Sequence, residues 1–115
     1  MNFLLVFIGG GIGSLVRYLF GLGFQRTTLA LPWSTFAANV TACLVFAWVI
    51  WLISKGHESQ TIRLLLLTGF CGGLSTFSSF SFETFLLLRQ GMTIYALLNI
   101  FFNTMACLLI FYWLK

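Results

Sequence analysis

The chain reads as an all-α membrane protein with four transmembrane helices, and its composition and hydropathy pattern say so. Of its residues 60% are hydrophobic and only 7% charged, whereas a soluble domain of this size carries roughly 25% charged residues. Mean hydropathy is +1.03. The apolar residues fall into four stretches, 3–24, 33–53, 62–88 and 92–114, each long enough to cross a hydrocarbon core of about 30 Å at about 1.5 Å per helical residue. Breakers and charges collect between them, in Gln25-Arg26-Thr27-Thr28 up to Pro32, in Ser54-Lys55-Gly56-His57-Glu58-Ser59-Gln60 and in Arg89-Gln90-Gly91. Four spans put both termini on one side of the membrane and leave no room for a soluble domain. No internal repeat is evident. The N-terminus has neither a basic leader nor an Ala-x-Ala-type site, so no cleaved targeting segment is expected.

In the first span, Gly9-Gly10-Gly11-Ile12-Gly13-Ser14 brings small residues together. Gly9 and Gly13 make a small-xxx-small face on which another helix can approach closely. Arg17, followed by Tyr18, lies in the latter half of this span. It either snorkels to the interface or lines a wet vestibule and concentrates anions. The second span follows Pro32, which suits a helix start. Asn39 stands about a turn from Thr35 and from Cys43, giving one polar line along the helix. An amide in such a place either bonds a neighbouring helix or meets a permeating species.

The third span carries the most information. Residues 68–83 hold three glycines, four serines and two threonines, a composition that a uniform lipid-facing helix has no use for. Gly69, Gly72 and Gly73 each weaken a helix by roughly 1 kcal/mol relative to Ala, so a break in mid-membrane is expected. Irregular backbone at that depth must be buried in protein or line a wet cavity. Helix ends freed at a break offer carbonyls on one side and N–H groups on the other. Phe77 and Phe80 follow at i, i+3, interleaved with Ser75, Thr76, Ser78 and Ser79. An aromatic edge carries positive quadrupole character, so either ring can face an anion without a formal charge, or simply pack. Glu83 is the only acid in any span. In an anion path it must be protonated, hydrogen-bonded to hydroxyls, or off the main track.

In the fourth span Asn99, Asn103 and Cys107 recur at i, i+4 and i+8, with Thr104 adjacent. Stacked amides present donors in sequence and favour an anion track over a cation site; an interhelical polar ladder is the alternative. Cys43, Cys71 and Cys107 all lie in spans and read as free thiols. The basic residues divide evenly, with Lys55, Arg63 and Lys115 towards the side of the termini and Arg17, Arg26 and Arg89 towards the other. Such balance gives insertion almost no bias. It favours dual topology, with oppositely oriented copies pairing antiparallel, over a single orientation fixed by a weak bias.

Catalysis finds no support. The only His is His57, in a loop beside Glu58; the chain has no Asp, and no His or Lys neighbours the serine run to activate a hydroxyl. The net charge of +4 suits lipid head groups and tilts weakly towards anionic guests. The basic residues are too scattered to bind nucleic acid. Transport or permeation remains as the chemistry of the buried polar groups.

Together these residues resemble the small bacterial fluoride-channel family known as Fluc or CrcB. The likeness covers nearly the whole chain and rests on Gly9-Gly10-Gly11-x-Gly13-x-x-x-Arg17-Tyr18, on Pro32-x-Ser34-Thr35-x-x-x-Asn39, and above all on Gly69 to Ser81 with Glu83. The resemblance implies a four-helix protomer, an antiparallel dual-topology homodimer in the bacterial inner membrane, and two fluoride pathways at the subunit interface. It also implies a structural sodium ion (Na+) at the dimer centre, held by main-chain carbonyls, here those of Gly72 and Ser75. Phe77 and Phe80 match the family's paired phenylalanines. Asn39 matches the pore-lining asparagine of the second helix, Asn103 a polar position of the fourth with Asn99 one turn earlier, and Arg17 the arginine ending the first motif. The hydroxyls of Thr76 and Ser78, with Glu83, complete the expected pathway. Ser34 departs from the family's usual Gly, and Ser75 from a frequent Thr.

The activity so implied is passive, fluoride-selective export from the cytoplasm, without ATP or proton coupling. A small multidrug-resistance-type exporter is the rival within transport, but it needs an acid early in the chain, and the first span has none. A scaffold whose polar residues only join helices is the rival from another class.

Overall fold

The computed structural model describes residues 1–24 and 32–114. It is all-helical. Helix α1 spans Asn2–Gly23 and α2 Trp33–Ser54; α3, Gln60–Ile62, runs into a π-helical segment, Arg63–Cys71, and then into α4, Gly72–Leu74; α5 spans Phe77–Arg89 and α6 Thr93–Tyr112. Among the described residues four segments are long and apolar enough to cross a membrane: α1, α2, the compound third span Gln60–Arg89, and α6. The longest dimension of the molecule is 48 Å, matching a bilayer of about 40–45 Å with its head groups. Arg26 and Lys115, used above to weigh charge across the membrane, lie outside the described residues, as does the stretch 25–31.

Two connections are closed by glycine. At the end of α2, Gly56 has φ 93°, and the N–H of His57 reaches back to the Leu52 carbonyl at 3.1 Å. After α5, Gly91 has φ 80°, and the Met92 N–H reaches the Leu87 carbonyl at 2.8 Å. Both are Schellman-type endings, in which a left-handed residue lets orphan carbonyls be satisfied. The α2–α3 connection also holds an exposed Arg63–Glu58 ion pair at 3.1 Å.

The π-helical segment and α4 lie against α1, and glycine makes their contact possible. A Cβ on Gly9 would collide with the Leu65 carbonyl oxygen, one on Gly13 with that of Phe70, and one on Gly73 with that of Gly10. In lipid, helices associate through close packing rather than the hydrophobic effect, and small residues let backbones touch. Behind this seam Ala38, Ala42, Cys71 and Leu74 form a buried cluster, with Val16, Phe20, Val45, Phe46 and Phe70 packed around it.

The third span does not run as one regular helix. After Leu74, Ser75 (φ −78°, ψ 154°) and Thr76 (φ −150°, ψ 125°) are extended, and helical geometry resumes at Phe77. The Ser75 N–H still reaches the Cys71 carbonyl at 2.9 Å, but from Thr76 the backbone polar groups need partners from elsewhere.

Candidate functional site

Those partners come from α2. The Thr76 N–H, which in a continuous helix would donate to the Gly72 carbonyl, donates instead to Asn39 Oδ1 at 2.9 Å. The same amide returns the favour, its Nδ2 donating to the Thr76 carbonyl at 3.4 Å. Asn39 thus pairs with one extended residue as a neighbouring strand would. On the far side of the joint Thr76 caps α5, its hydroxyl accepting the Ser79 N–H at 3.1 Å and lying 3.3 Å from the Ser78 hydroxyl. On the near side Ser75 Oγ donates to the Cys71 carbonyl at 2.7 Å. The start of α5 leaves its first N–H groups without intrahelical acceptors; the Thr76 cap serves that of Ser79, and the N-terminal end of the helix favours negative charge.

From Asn39 a chain of amides runs into α6. Asn39 Nδ2 donates to Asn103 Oδ1 at 3.2 Å. Asn103 Nδ2 donates to the side-chain and main-chain oxygens of Asn99, both at 2.9 Å. Asn99 Nδ2 donates to Thr84 Oγ1 at 2.9 Å, and that hydroxyl donates to the Phe80 carbonyl at 2.8 Å. Asn99 and Asn103 are only 3% and 6% exposed, so an unsatisfied amide there would be costly. Within one protomer the amides of α2 and α6 are therefore bonded to one another, and they tie α6 to α2 and to α5. The bonds of Asn39 Nδ2 are the longest of the set and sit at the weak end of the usual range.

An open groove of about 290 Å³ follows this chain, lined by Asn39, Ser75, Thr76, Phe77, Phe80 and Asn103, with Cys43, Thr104 and Cys107. The Phe77 and Phe80 ring centroids are 5.8 Å apart with planes at 45°. Phe77 is 79% exposed on the protomer. The groove so gathers Asn39, Ser75, Thr76, Phe77, Phe80 and Asn103 from the expected site residues.

The remainder stand elsewhere. Ser78 touches the site only through Thr76. Asn99 lines a separate water-sized cavity of about 10 Å³ with Trp33 and Phe102. Glu83 borders a different cleft with Pro32, Leu86, Leu87 and Gln90; one of its carboxylate oxygens accepts from Thr35 Oγ1 at 2.8 Å. That bond separates Thr35 from the polar line of α2, since Thr35 turns to Glu83 while Asn39 turns to Thr76. Arg17 is half-buried in α1 and does not line the groove. Gly72 is exposed on the protomer and borders a neighbouring cavity with Ser75. Sequence reasoning missed Thr84, which links α6 to the carbonyl of Phe80; its signal was its place four residues after Phe80, directly following the hydroxyl-rich run.

A helical multi-pass membrane protein with a polar, aromatic-edged groove beside an irregular stretch of backbone belongs to the class that moves small solutes across bilayers. The chain is a member of the CrcB family: residues 4–114 match the family model described as CrcB-like protein, Camphor Resistance (CrcB). Among its relatives, a protein of Pyrococcus furiosus named fluoride-specific ion channel FluC is 47% identical over 103 residues, 89% of this chain and 83% of the relative. One of the same name from Phocaeicola vulgatus is 44% identical over 92 residues, covering 79% and 76% of the two chains. Another, from Methanococcus aeolicus, is 39% identical over 109 residues, covering 95% and 88%.

Proposed function

We propose that this protein is a fluoride-selective channel of the bacterial inner membrane that lets fluoride leave the cytoplasm passively. The observation that carries the reading is the Asn39 clasp on Thr76, made at 2.9 and 3.4 Å inside a groove that also holds Phe77, Phe80 and Asn103. The names of the relatives supply the ion. Fluoride is small and strongly hydrated, so a passage must replace its water with donors and polarised ring edges while fitting larger halides poorly. In the groove the replaceable donors are those of Asn39, because its Nδ2 bonds of 3.2 and 3.4 Å are the weakest in the chain of amides. An arriving anion competes with those bonds and leaves the 2.9 Å bonds of Asn103 intact. Phe80 and Phe77 offer edges on the opposite wall, and the capped start of α5 adds a favourable field.

The mid-membrane break in the third helix, in this reading, is what opens the groove. The groove is open to one side of the protomer, and the exposed Phe77 ring suits a second copy better than water. An antiparallel homodimer would close it, giving one pathway on each side of the interface. Sodium fits the same joint: diverting the Thr76 N–H to Asn39 releases the Gly72 carbonyl, and the extended Ser75 turns its own carbonyl out of the helix. Those oxygens would hold the ion, which supplies fixed positive charge and a cross-link between copies. Hard cations accept such carbonyl ligands.

The test is fluoride efflux, read with an ion-selective electrode, from liposomes containing only this protein. Rapid fluoride loss with chloride retained is the expected result. Equal passage of both halides overturns the selectivity, and no flux of either favours a scaffold. Replacing sodium throughout should lower the fluoride flux or dissociate the dimer.

A further inference from the structure

The wall of the groove carries a chemistry that an anion passage does not use. Cys43 of α2 and Cys107 of α6 both line it, and Cys43 stands one helical turn after Asn39, whose carbonyl oxygen Cys107 approaches. Both thiols are free. Cys107 Sγ also lies 3.8 Å from the Asn39 carbonyl oxygen, so the pair sits one step from the amide clasp. Cys71 is buried, donates to the Ala42 carbonyl at 3.3 Å and shares a neighbouring cavity with Cys43, but it does not line the groove. Among the described residues no three His, Cys, Asp or Glu side chains converge as metal ligands, so a tetrahedral zinc-type centre has no ligand set. Two thiols on one wall without a third ligand suit a soft ion content with linear two-coordination, since thiolates select soft metals.

We propose that Cys43 and Cys107 form a two-thiol site for a soft, thiophilic cation of the mercuric class, and that filling this site plugs the groove. Each thiol gives up its proton to water, and each S–H bond is replaced by a sulfur–metal bond; no electron is transferred. With a divalent ion the bis-thiolate product is neutral, which suits a low-dielectric wall where net charge is costly. Binding depends only on the thiol pair, whereas plugging rests on the reading of the groove as a passage.

The experiment adds one equivalent of mercuric chloride per chain to the purified full-length protein, where two thiols together displace both chlorides and one thiol only the first. Singly bound mercury is stripped with a monothiol and removed by gel filtration. The protein is then alkylated with a maleimide and its modified cysteines are mapped by mass spectrometry. Cys43 and Cys107 should be protected together while the labelling of Cys71 does not change. Protection should be lost in Cys43→Ser and in Cys107→Ser and kept in Cys71→Ser. Protection that includes Cys71, that survives either of the first two substitutions, or that never appears overturns the site. In liposomes treated with mercuric chloride and then washed with the same monothiol, fluoride efflux should be abolished for wild type and Cys71→Ser and retained in Cys43→Ser and Cys107→Ser, with recovery of the wild type after a dithiol chelator. Full protection of the pair alongside undiminished efflux overturns the plugging and points at the passage reading, leaving the metal site standing.

Discussion

The two halves of the third span hold to their neighbours in opposite ways. The first half, the π-helical segment with α4, meets α1 backbone to backbone: Gly9, Gly13, Gly69 and Gly73 leave no space for a Cβ, and no side-chain hydrogen bond between the two is seen among the described residues. The second half, α5, is held at a distance by side chains, through Asn39, Asn103, Asn99 and Thr84. Contact by close packing is rigid and tolerates no added volume. Contact through amides is exchangeable, because a guest with the right charge can take over a donor. The extended pair Ser75–Thr76 is the joint between the rigid half and the exchangeable one.

The largest effect should come from thickening the rigid seam. Gly13→Val places a branched side chain against the Phe70 carbonyl and the Leu74 N–H, backbone atoms that cannot swing aside. Overpacking of this kind costs about 1–3 kcal/mol or more, and the variant should lose its monodisperse peak in size-exclusion chromatography. Gly11→Ala is the internal control, since its Cβ would meet nothing within 4 Å, and it should behave as wild type. Equal behaviour of the two variants would break the contrast between the halves.

Next comes the clasp. Asn39→Ala leaves the Thr76 N–H and Asn103 Oδ1 without their partner, at about 1–3 kcal/mol for each buried group left unpaired. Thermal stability should fall, and efflux by at least about tenfold, the change a barrier shift of about 1.4 kcal/mol produces. A variant as stable and as active as wild type would show that the amide is a bystander.

Smaller still is Glu83→Gln. An amide carbonyl can accept the Thr35 hydroxyl bond as the carboxylate does, and Glu83 faces a cleft apart from the groove. Stability should change by less than about 1.5 kcal/mol with efflux near wild type; a collapse of efflux would put Glu83 on the pathway. Smallest of all is Glu58→Ala, which removes an ion pair whose side chains are 46% and 66% exposed. Pairs of that kind contribute about 0–1 kcal/mol, so a shift in melting temperature beyond scatter would assign the α2–α3 connection a role it lacks here.

Much of this contrast was legible in the sequence, because it rests on local composition. Apolar runs between charged loops announce four spans, since hydrocarbon tolerates little else. Gly9 and Gly13 at small-xxx-small spacing announce a close seam, and the glycine and serine run marks the third span as irregular. What stayed hidden depends on which faces meet. The spacing of Thr35, Asn39 and Cys43 draws one polar line, yet Thr35 bonds Glu83 and Asn39 bonds Thr76, because a helix of this length passes several partners. The π-helical geometry of Arg63–Cys71 has no compositional mark. Thr84 was hidden for a related reason, since its worth lies in the Asn99 amide that reaches it from another helix.

The most direct test of the account is fluoride efflux by Phe80→Ile, compared with wild type in the same liposomes. This substitution keeps apolar bulk in the groove wall but removes the ring edge. The account predicts a folded protein of unchanged oligomeric state whose fluoride efflux is sharply slowed. Efflux at the wild-type rate would contradict it, because fluoride would then be crossing without the groove that Phe80 lines.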